Sequence, residues 1–183
     1  MRRPTTLPLD EMFRQSVHVI THPSVTTFER YERAGSLSQA VVYVALTGAV
    51  AGLLDLLRFG FGGWLERILV ILGGFLAFTL TVYFFGRSRG GTGTLDEVAY
   101  TFSLYWVPIS IVVAVLTFLL AVTIVGILLI PLVLLAGLVA SVYFAYLAVQ
   151  SSMNLRGTST VAVILVVAAV VSWVVQVVLG RIL

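Results

Sequence analysis

The longest stretch of this chain without an aspartate, glutamate, lysine or arginine runs from Val98 to Leu155 and contains 58 residues. As one helix rising about 1.5 Å per residue, it would be about 87 Å long. The hydrocarbon core of a bilayer is only about 30 Å thick. The stretch is therefore expected to fold back once, and we place the turn at residues 121–126.

Three shorter uncharged stretches, 34–54, 68–86 and 157–180, contain 21, 19 and 24 residues. Each fits one spanning helix of about 20 residues. Overall, 60% of the residues are hydrophobic and 10% are charged, with a mean hydropathy of +1.09. Soluble proteins average about 45–50% apolar residues and about 25% charged residues, so lipid is expected to cover most of the surface of this protein.

The predicted fold class is an all-α integral membrane protein with five transmembrane helices. A β-barrel is disfavoured because runs such as Ile127–Leu135 do not alternate between apolar and polar residues. The chain divides into a head, 1–38, and a five-span transmembrane domain, 39–183. The approximate spans are 39–57, 65–85, 100–120, 127–150 and 160–180.

The head is predicted to contain two short amphipathic helices. Phe13, Val17 and Ile20 fall on one face of the first helix at spacings of four and three. Two placements remain open: the helices lie on the membrane surface, or they pack on the polar end of the bundle.

Arginine supplies all eleven basic residues and predicts the orientation. Eight lie on the side of the head, including Arg2, Arg3 and Arg14, and three lie on the opposite side. Arg2, Arg3 and Arg14 are distant from any span, and without them the head side has five arginines against three on the opposite side. The excess places the N-terminus in the cytoplasm and the C-terminus opposite.

A glycine-rich loop joins the second and third spans and is the strongest candidate for an interaction site. Its candidate residues are Arg87, Arg89, Gly90, Gly91, Gly93, Thr94, Asp96 and Glu97. A phosphate-binding P-loop would need a lysine, and the sequence has none. Thr94 and Glu97 instead form a capping box, and the two arginines are candidates for contact with anionic lipid headgroups.

The sequence offers no catalytic, metal or cofactor site. Cysteine is absent, and His18 and His22 lack the glutamate between them that a zinc-protease motif requires. No carboxylate pair or activated nucleophile can be assembled, so we predict no enzymatic activity, and no basic footprint predicts nucleic-acid binding.

Small residues recur inside the spans at spacings typical of helix packing. The pairs are Gly48 with Gly52, Gly73 with Ala77, and Gly137 with Ser141. These pairs pack helices either within one chain or between chains. A neutral polar seam containing Ser103, Tyr105 and Tyr143 suggests an alternative function as a small transporter, channel or lipid-moving protein.

Taken in order, these features resemble the Yip (Ypt/Rab-GTPase-interacting protein) domain family. The matching features are the short head with the sequence of residues 22–28 (HPSVTTF), five spans, the loop of residues 90–98 and the motif of residues 105–108 (YWVP). The resemblance covers nearly the whole chain.

The resemblance implies a polytopic protein with a cytoplasmic N-terminus that forms homo- or hetero-oligomeric contacts with membrane proteins. The eukaryotic members, which interact with Rab GTPases in vesicle traffic, carry a longer head and an Asp-Leu-Tyr-Gly-Pro motif. Both are absent here, which argues against GTPase binding and favours a bacterial-type member in the cytoplasmic membrane. The leading hypothesis is a non-enzymatic protein that acts through protein or lipid contacts in membrane organisation or trafficking.

Overall fold

The computed structural model describes residues 7–183, with Leu54 described by its backbone only. The first six residues of the predicted head, including Arg2 and Arg3, lie outside this description. The described chain is all-helical, as predicted. Its seven helices are α1 (Leu9–Thr21), α2 (Val25–Tyr31), α3 (Leu37–Ala51), α4 (Leu53–Ser88), α5 (Leu95–Ala121), α6 (Ile124–Ser152) and α7 (Thr158–Ile182).

Four of the helices are long and apolar enough to cross a membrane, and α3 is a shorter apolar helix. The four are the α4 segment Asp55–Ser88 together with α5, α6 and α7. With 15 residues, α3 is about 22 Å long, which is less than the thickness of the hydrocarbon core.

Only one residue, Gly52, separates α3 from α4. Helix α3 ends before Gly52, and α4 begins at Leu53 and is kinked at Gly60, whose φ of 71° is in the left-handed region. The predicted spans 39–57 and 65–85 leave residues 58–64 between them, whereas the structure places these residues within α4, around the kink. Beyond the kink, α4 returns beside α3, and the Trp64 indole donates a hydrogen bond to the carbonyl of Ala49 (2.9 Å).

The uncharged stretch of 58 residues folds back within the predicted segment. Helix α5 ends at Ala121 and α6 begins at Ile124, after Thr123 caps the new helix by accepting a hydrogen bond from the Gly126 amide (2.9 Å). The side-chain cap replaces one of the backbone partners that the first turn of a helix lacks.

The long helices form two antiparallel pairs. Helix α4 packs most extensively against α7, and α5 packs against α6, while α3 lies against both α4 and α5. Contacts between α6 and α7 are few. Within the pairs, Gly73 of α4 faces Leu179 and Gly137 of α6 faces Val113, while Gly48 of α3 faces the backbone of Ile68 in α4.

Burial changes along α5. Residues 98–107 are buried, apart from half-buried Trp106, whereas most of residues 112–121 are at least partly exposed. The buried portion is covered by the head: α1 packs against α5, and α2 packs against α6. We call this end of the bundle the head end and the opposite end the far end.

The buried face of α1 differs from the expected one. Met12, Ser16 and Val19 face the bundle, whereas Phe13 is 55% exposed and Val17 is 44% exposed. Of the predicted apolar face, Phe13 and Val17 therefore point outward and Ile20 is partly buried. The inner face mixes apolar and polar side chains, and the polar ones find hydrogen-bond partners on other helices. The structure shows that the head packs on the bundle, and it leaves an apolar face pointing outward.

Replacing Gly48 by leucine is expected to separate α3 from α4, because even a β-carbon would lie 3.1 Å from the Ile68 Cα. Overpacking of this kind costs about 1–3 kcal/mol. Thermal unfolding in detergent should show a lower Tm for Gly48→Leu. Gly62→Leu is the matched control, since no atom lies within 4 Å of its β-carbon position; an equal loss in both variants would contradict this packing role.

Candidate functional site

The predicted interaction loop is fastened to the end of α6. The Thr92 amide donates to the Met153 carbonyl (3.1 Å), and the Asn154 side-chain amide donates to the Thr92 hydroxyl (3.0 Å). A β-carbon at Gly93 would overlap the carbonyl oxygen of Ser152, and one at Gly91 would lie 2.6 Å from the terminal methyl of Met153. The close approach of the loop to α6 therefore requires glycine at 93, whereas the rigid neighbour of Gly91 is the Gly86 carbonyl oxygen of α4, 2.9 Å from its β-carbon position.

The acidic residues that follow the loop join three elements. The Glu97 carboxylate accepts a hydrogen bond from the Thr94 amide (2.8 Å), while the Thr94 hydroxyl accepts one from the Glu97 amide (3.2 Å), so the predicted capping box is present. Glu97 also accepts from Arg33 of the head (3.1 Å), and Asp96 accepts from the Leu37 amide at the start of α3 (2.8 Å). The start of α5 thereby positions both the head and α3.

Buried polar contacts hold α1 against the bundle. The Tyr100 hydroxyl donates to the Gln15 side chain (2.8 Å), and the hydroxyls of Ser16 and Tyr43 lie 3.1 Å apart. The ring of Tyr100 also occupies the space beside Gly35, where a β-carbon would overlap it. These contacts fix the position of the head, because a buried hydroxyl that lost its partner would cost free energy.

A buried carboxyl lies where the end of α2 meets the end of α6. Ser151 donates a hydrogen bond to Glu32 (2.8 Å), whose side chain is almost fully buried. Burial raises the pKa of the Glu32 carboxyl above its ordinary value, and the nearby Glu97 and Glu29 charges add to this effect. The hydrogen bond from Ser151 and the charge of Arg33 oppose it.

The exposed part of the site is arginine-rich. Arg87 lies over the ring of Tyr83 (5.7 Å) and Arg89 over that of Phe85 (5.3 Å), and both side chains are exposed. Neither has an ion-pair partner within residues 7–183. Gly90, with a φ of 90°, forms the turn between this pair and the fastened part of the loop.

The predicted site residues thus fall into two groups. Gly91, Gly93, Thr94, Asp96 and Glu97 make contacts within the chain, whereas Arg87, Arg89 and Gly90 form an exposed arginine turn. Sequence reasoning did not find Glu32, Ser151, Gln15 or Tyr100. The only local signal for them was the presence of polar residues on the helix faces opposite the apolar ones.

The predicted polar seam is not formed by its three residues. Ser103 donates to the carbonyl of Tyr100 within α5 (2.7 Å), and Tyr143 is 49% exposed on the outer surface. Tyr105 instead lines a cavity of about 200 Å³ between the two helix pairs, together with Ser141 and Ser172.

The two histidines of the head do meet, with ring centroids 4.7 Å apart. The Tyr31 hydroxyl lies 3.1 Å from Nδ1 of His18. No group of three potential metal ligands occurs in the described part of the chain.

The fold and its buried polar head end define a multi-pass helical membrane protein. The Yip1 domain family matches residues 17–179, and the chain belongs to this family. Searches of curated proteins and of solved structures found no match.

Gly93→Ala is expected to destabilise the head end, because the α6 carbonyl that its β-carbon meets cannot move without breaking the end of that helix. A loss of about 1–3 kcal/mol should appear as a lower Tm in detergent. Gly180→Ala, with no neighbour within 4 Å of the added carbon, should leave the Tm unchanged. An unchanged Tm in Gly93→Ala with lost partner binding would show that this glycine is a direct contact.

Glu32 should make stability depend on pH. Between its ordinary value of 4.5 and its raised pKa, the folded state holds a proton that the unfolded state has released, so stability falls as pH rises through this window. Glu32→Gln keeps an acceptor for Ser151 and should flatten this part of the curve. Asp10→Asn, an exposed change, should retain the slope, and equal slopes in wild type and Glu32→Gln would rule out this linkage.

Proposed function

We propose that this Yip1-family protein is a non-enzymatic membrane protein that acts through contacts with other membrane proteins and lipids at its head end. Members of this family are generally non-enzymatic proteins of membrane trafficking. We also propose that the head end faces the cytoplasm, in agreement with the arginine asymmetry of the sequence. A role in membrane organisation fits this placement.

The observation that carries the proposal is the exposed arginine turn of residues 87–90. Its two guanidinium groups are held near the aromatic wall of α4 and are not neutralised by a carboxylate of the described chain. Guanidinium groups form bidentate hydrogen bonds with carboxylates and phosphates. The turn is therefore suited to an acidic surface of a partner protein or to anionic headgroups.

The outer face of α1 extends the contact surface that the arginine turn provides, and we call the two together the working surface. Leu9, Phe13 and Val17 follow one another at intervals of four residues and are exposed, so they form one apolar stripe. Such a stripe suits either the membrane interface or a partner helix. We propose homo- or hetero-oligomeric contacts here, and no GTPase, because the motif of the GTPase-binding relatives is absent.

A second candidate function, movement of a small molecule or a lipid, is favoured by the cavity between the two helix pairs. It lies inside the membrane-spanning part and carries neutral polar groups from Tyr105, Ser141 and Ser172. The purified protein can be reconstituted into vesicles and tested for lipid scrambling and solute flux. Either activity would favour this alternative over a purely contact-based function.

Substituting Arg87 and Arg89 together by alanine should reduce partner retention or anionic-lipid binding without lowering the Tm, because both side chains are exposed and neither forms an ion pair with residues 7–183. Co-purification from native membranes, followed by vesicle flotation with and without anionic lipid, measures both outcomes. Arg181→Ala at the far end is the matched control. Unchanged retention and flotation in the double variant would overturn the proposed working surface.

A further inference from the structure

Two cavities at the far end and in the middle of the bundle share one wall. The first is the cavity of about 200 Å³ between the helix pairs, and the second is a cavity of about 410 Å³ at the far end. Gln176 of α7 lines both. The α7 residues that line the two cavities recur at helical intervals: Leu165, Ala169, Ser172, Gln176 and Gly180.

Helix α4 supplies the matching face. Beyond the kink at Gly60, its lining residues also recur at intervals of three and four: Gly63, Glu66, Val70, Gly74 and Phe78. Because residues at these spacings lie on one side of a helix, the two linings follow one side of α4 beyond the kink and one side of α7, and they adjoin at Gln176. We call the two adjoining cavities together the groove. From Gly180 to Leu165 the groove is about 22 Å long, given a rise of about 1.5 Å per residue.

The two ends of the groove differ in chemistry. Asp55, Glu66 and Arg67 line the far-end cavity. Arg67 donates through Nε to Asp55 (2.7 Å), while Glu66 has no ion-pair partner in the part of the chain that the structure describes. Two carboxylates and one guanidinium give a formal charge of −1. The inner cavity is lined mainly by apolar and aromatic side chains.

The inner cavity also opens toward the bilayer. Leu138 and Val142 of α6 line it, and they are 61% and 55% exposed. Helices α6 and α7 make few contacts with each other, so the gap between them gives access from the side. At about 200 Å³ the cavity is smaller than the ~300–1,000 Å³ that encloses a drug-sized molecule, and it suits a narrow chain.

We propose that this groove is a binding site for a phospholipid whose headgroup carries an amine, such as phosphatidylethanolamine. The acyl chain fills the inner cavity, the ammonium group pairs with Glu66, and the phosphate contacts the free N–H groups of Arg67. The bilayer supplies such a ligand at high concentration. A phospholipid has a charged end joined to an apolar end, and the groove has the same arrangement.

Gln176 has a role in this arrangement. Its side-chain amide donates to the Ser172 hydroxyl (3.1 Å), which in turn donates to the Gly74 carbonyl (2.9 Å). An amide nitrogen of glutamine has two N–H donors. Since Gln176 lines both cavities, we assign its second donor to an ester carbonyl of the bound lipid.

Native mass spectrometry of the delipidated full-length protein, with phosphatidylethanolamine and phosphatidylglycerol added in equal amounts, tests the site. The wild type should retain the ethanolamine lipid in preference. Ala169→Phe fills the inner cavity and should reduce its retention on the order of tenfold, equivalent to about 1.4 kcal/mol. Ala162→Phe, exposed on the same helix and outside both linings, should leave retention unchanged.

Glu66→Gln tests the headgroup end independently of packing, because the carboxylate makes no ion pair with the described residues. It should lower the preference for ethanolamine over glycerol headgroups severalfold while the Tm of the lipid-free protein stays the same. Equal retention of both lipids by the wild type, or equal effects of Ala169→Phe and Ala162→Phe, would overturn the proposal. These outcomes are separate from those for the arginine turn, which lies at the other end of the bundle.

Discussion

Helices α5 and α6 are longer than the hydrocarbon core is thick, and the arrangement of the other elements depends on how this surplus is covered. With 27 and 29 residues, they are about 40 and 43 Å long against a core of about 30 Å. Their connecting turn exposes Val122 and Ile124, which disfavours projection into water at the far end. The surplus therefore emerges at the head end, where the buried part of α5 begins.

The described part of the head, residues 7–38, covers that surplus, since α1 packs against α5 and α2 against α6. Helix α1 has two different faces: Met12, Ser16 and Val19 pack inward, and Phe13 and Val17 face outward. The two placements that the sequence leaves open are thus compatible, because a helix that packs on the bundle near the membrane boundary still presents an apolar side to the interface. Hydrogen bonds of Gln15 with Tyr100 and of Ser16 with Tyr43 determine which face turns inward.

The helical class, the fold-back near Thr123 and the capping box at Thr94 could be predicted from the sequence, because each depends on local composition or spacing. The inward face of α1 could not, since Gln15 and Ser16 are acceptable there only through partners 85 and 27 residues away. Contacts with residues distant in sequence also decide which loop residues are exposed and which pack within the chain. Gly91 and Gly93 looked like a contact surface in sequence, but their neighbours are Met153 and Ser152 of another helix.

Helix packing alone does not account for the polar residues of α7. Small residues such as Gly73 and Gly74 let α4 and α7 approach closely, and van der Waals contact supplies much of the association energy in membranes. A single side-chain hydrogen bond between spanning helices adds only ~0.6 kcal/mol on average. Ser172 makes such a bond to Gly74, whereas among the described residues the Gln176 amide donates only to Ser172 of its own helix. The Gln176 side chain also packs against Gly74, but an apolar side chain of similar size would pack there equally well. The polar carboxamide in the wall of both cavities is therefore better explained by a ligand than by the stability of the bundle.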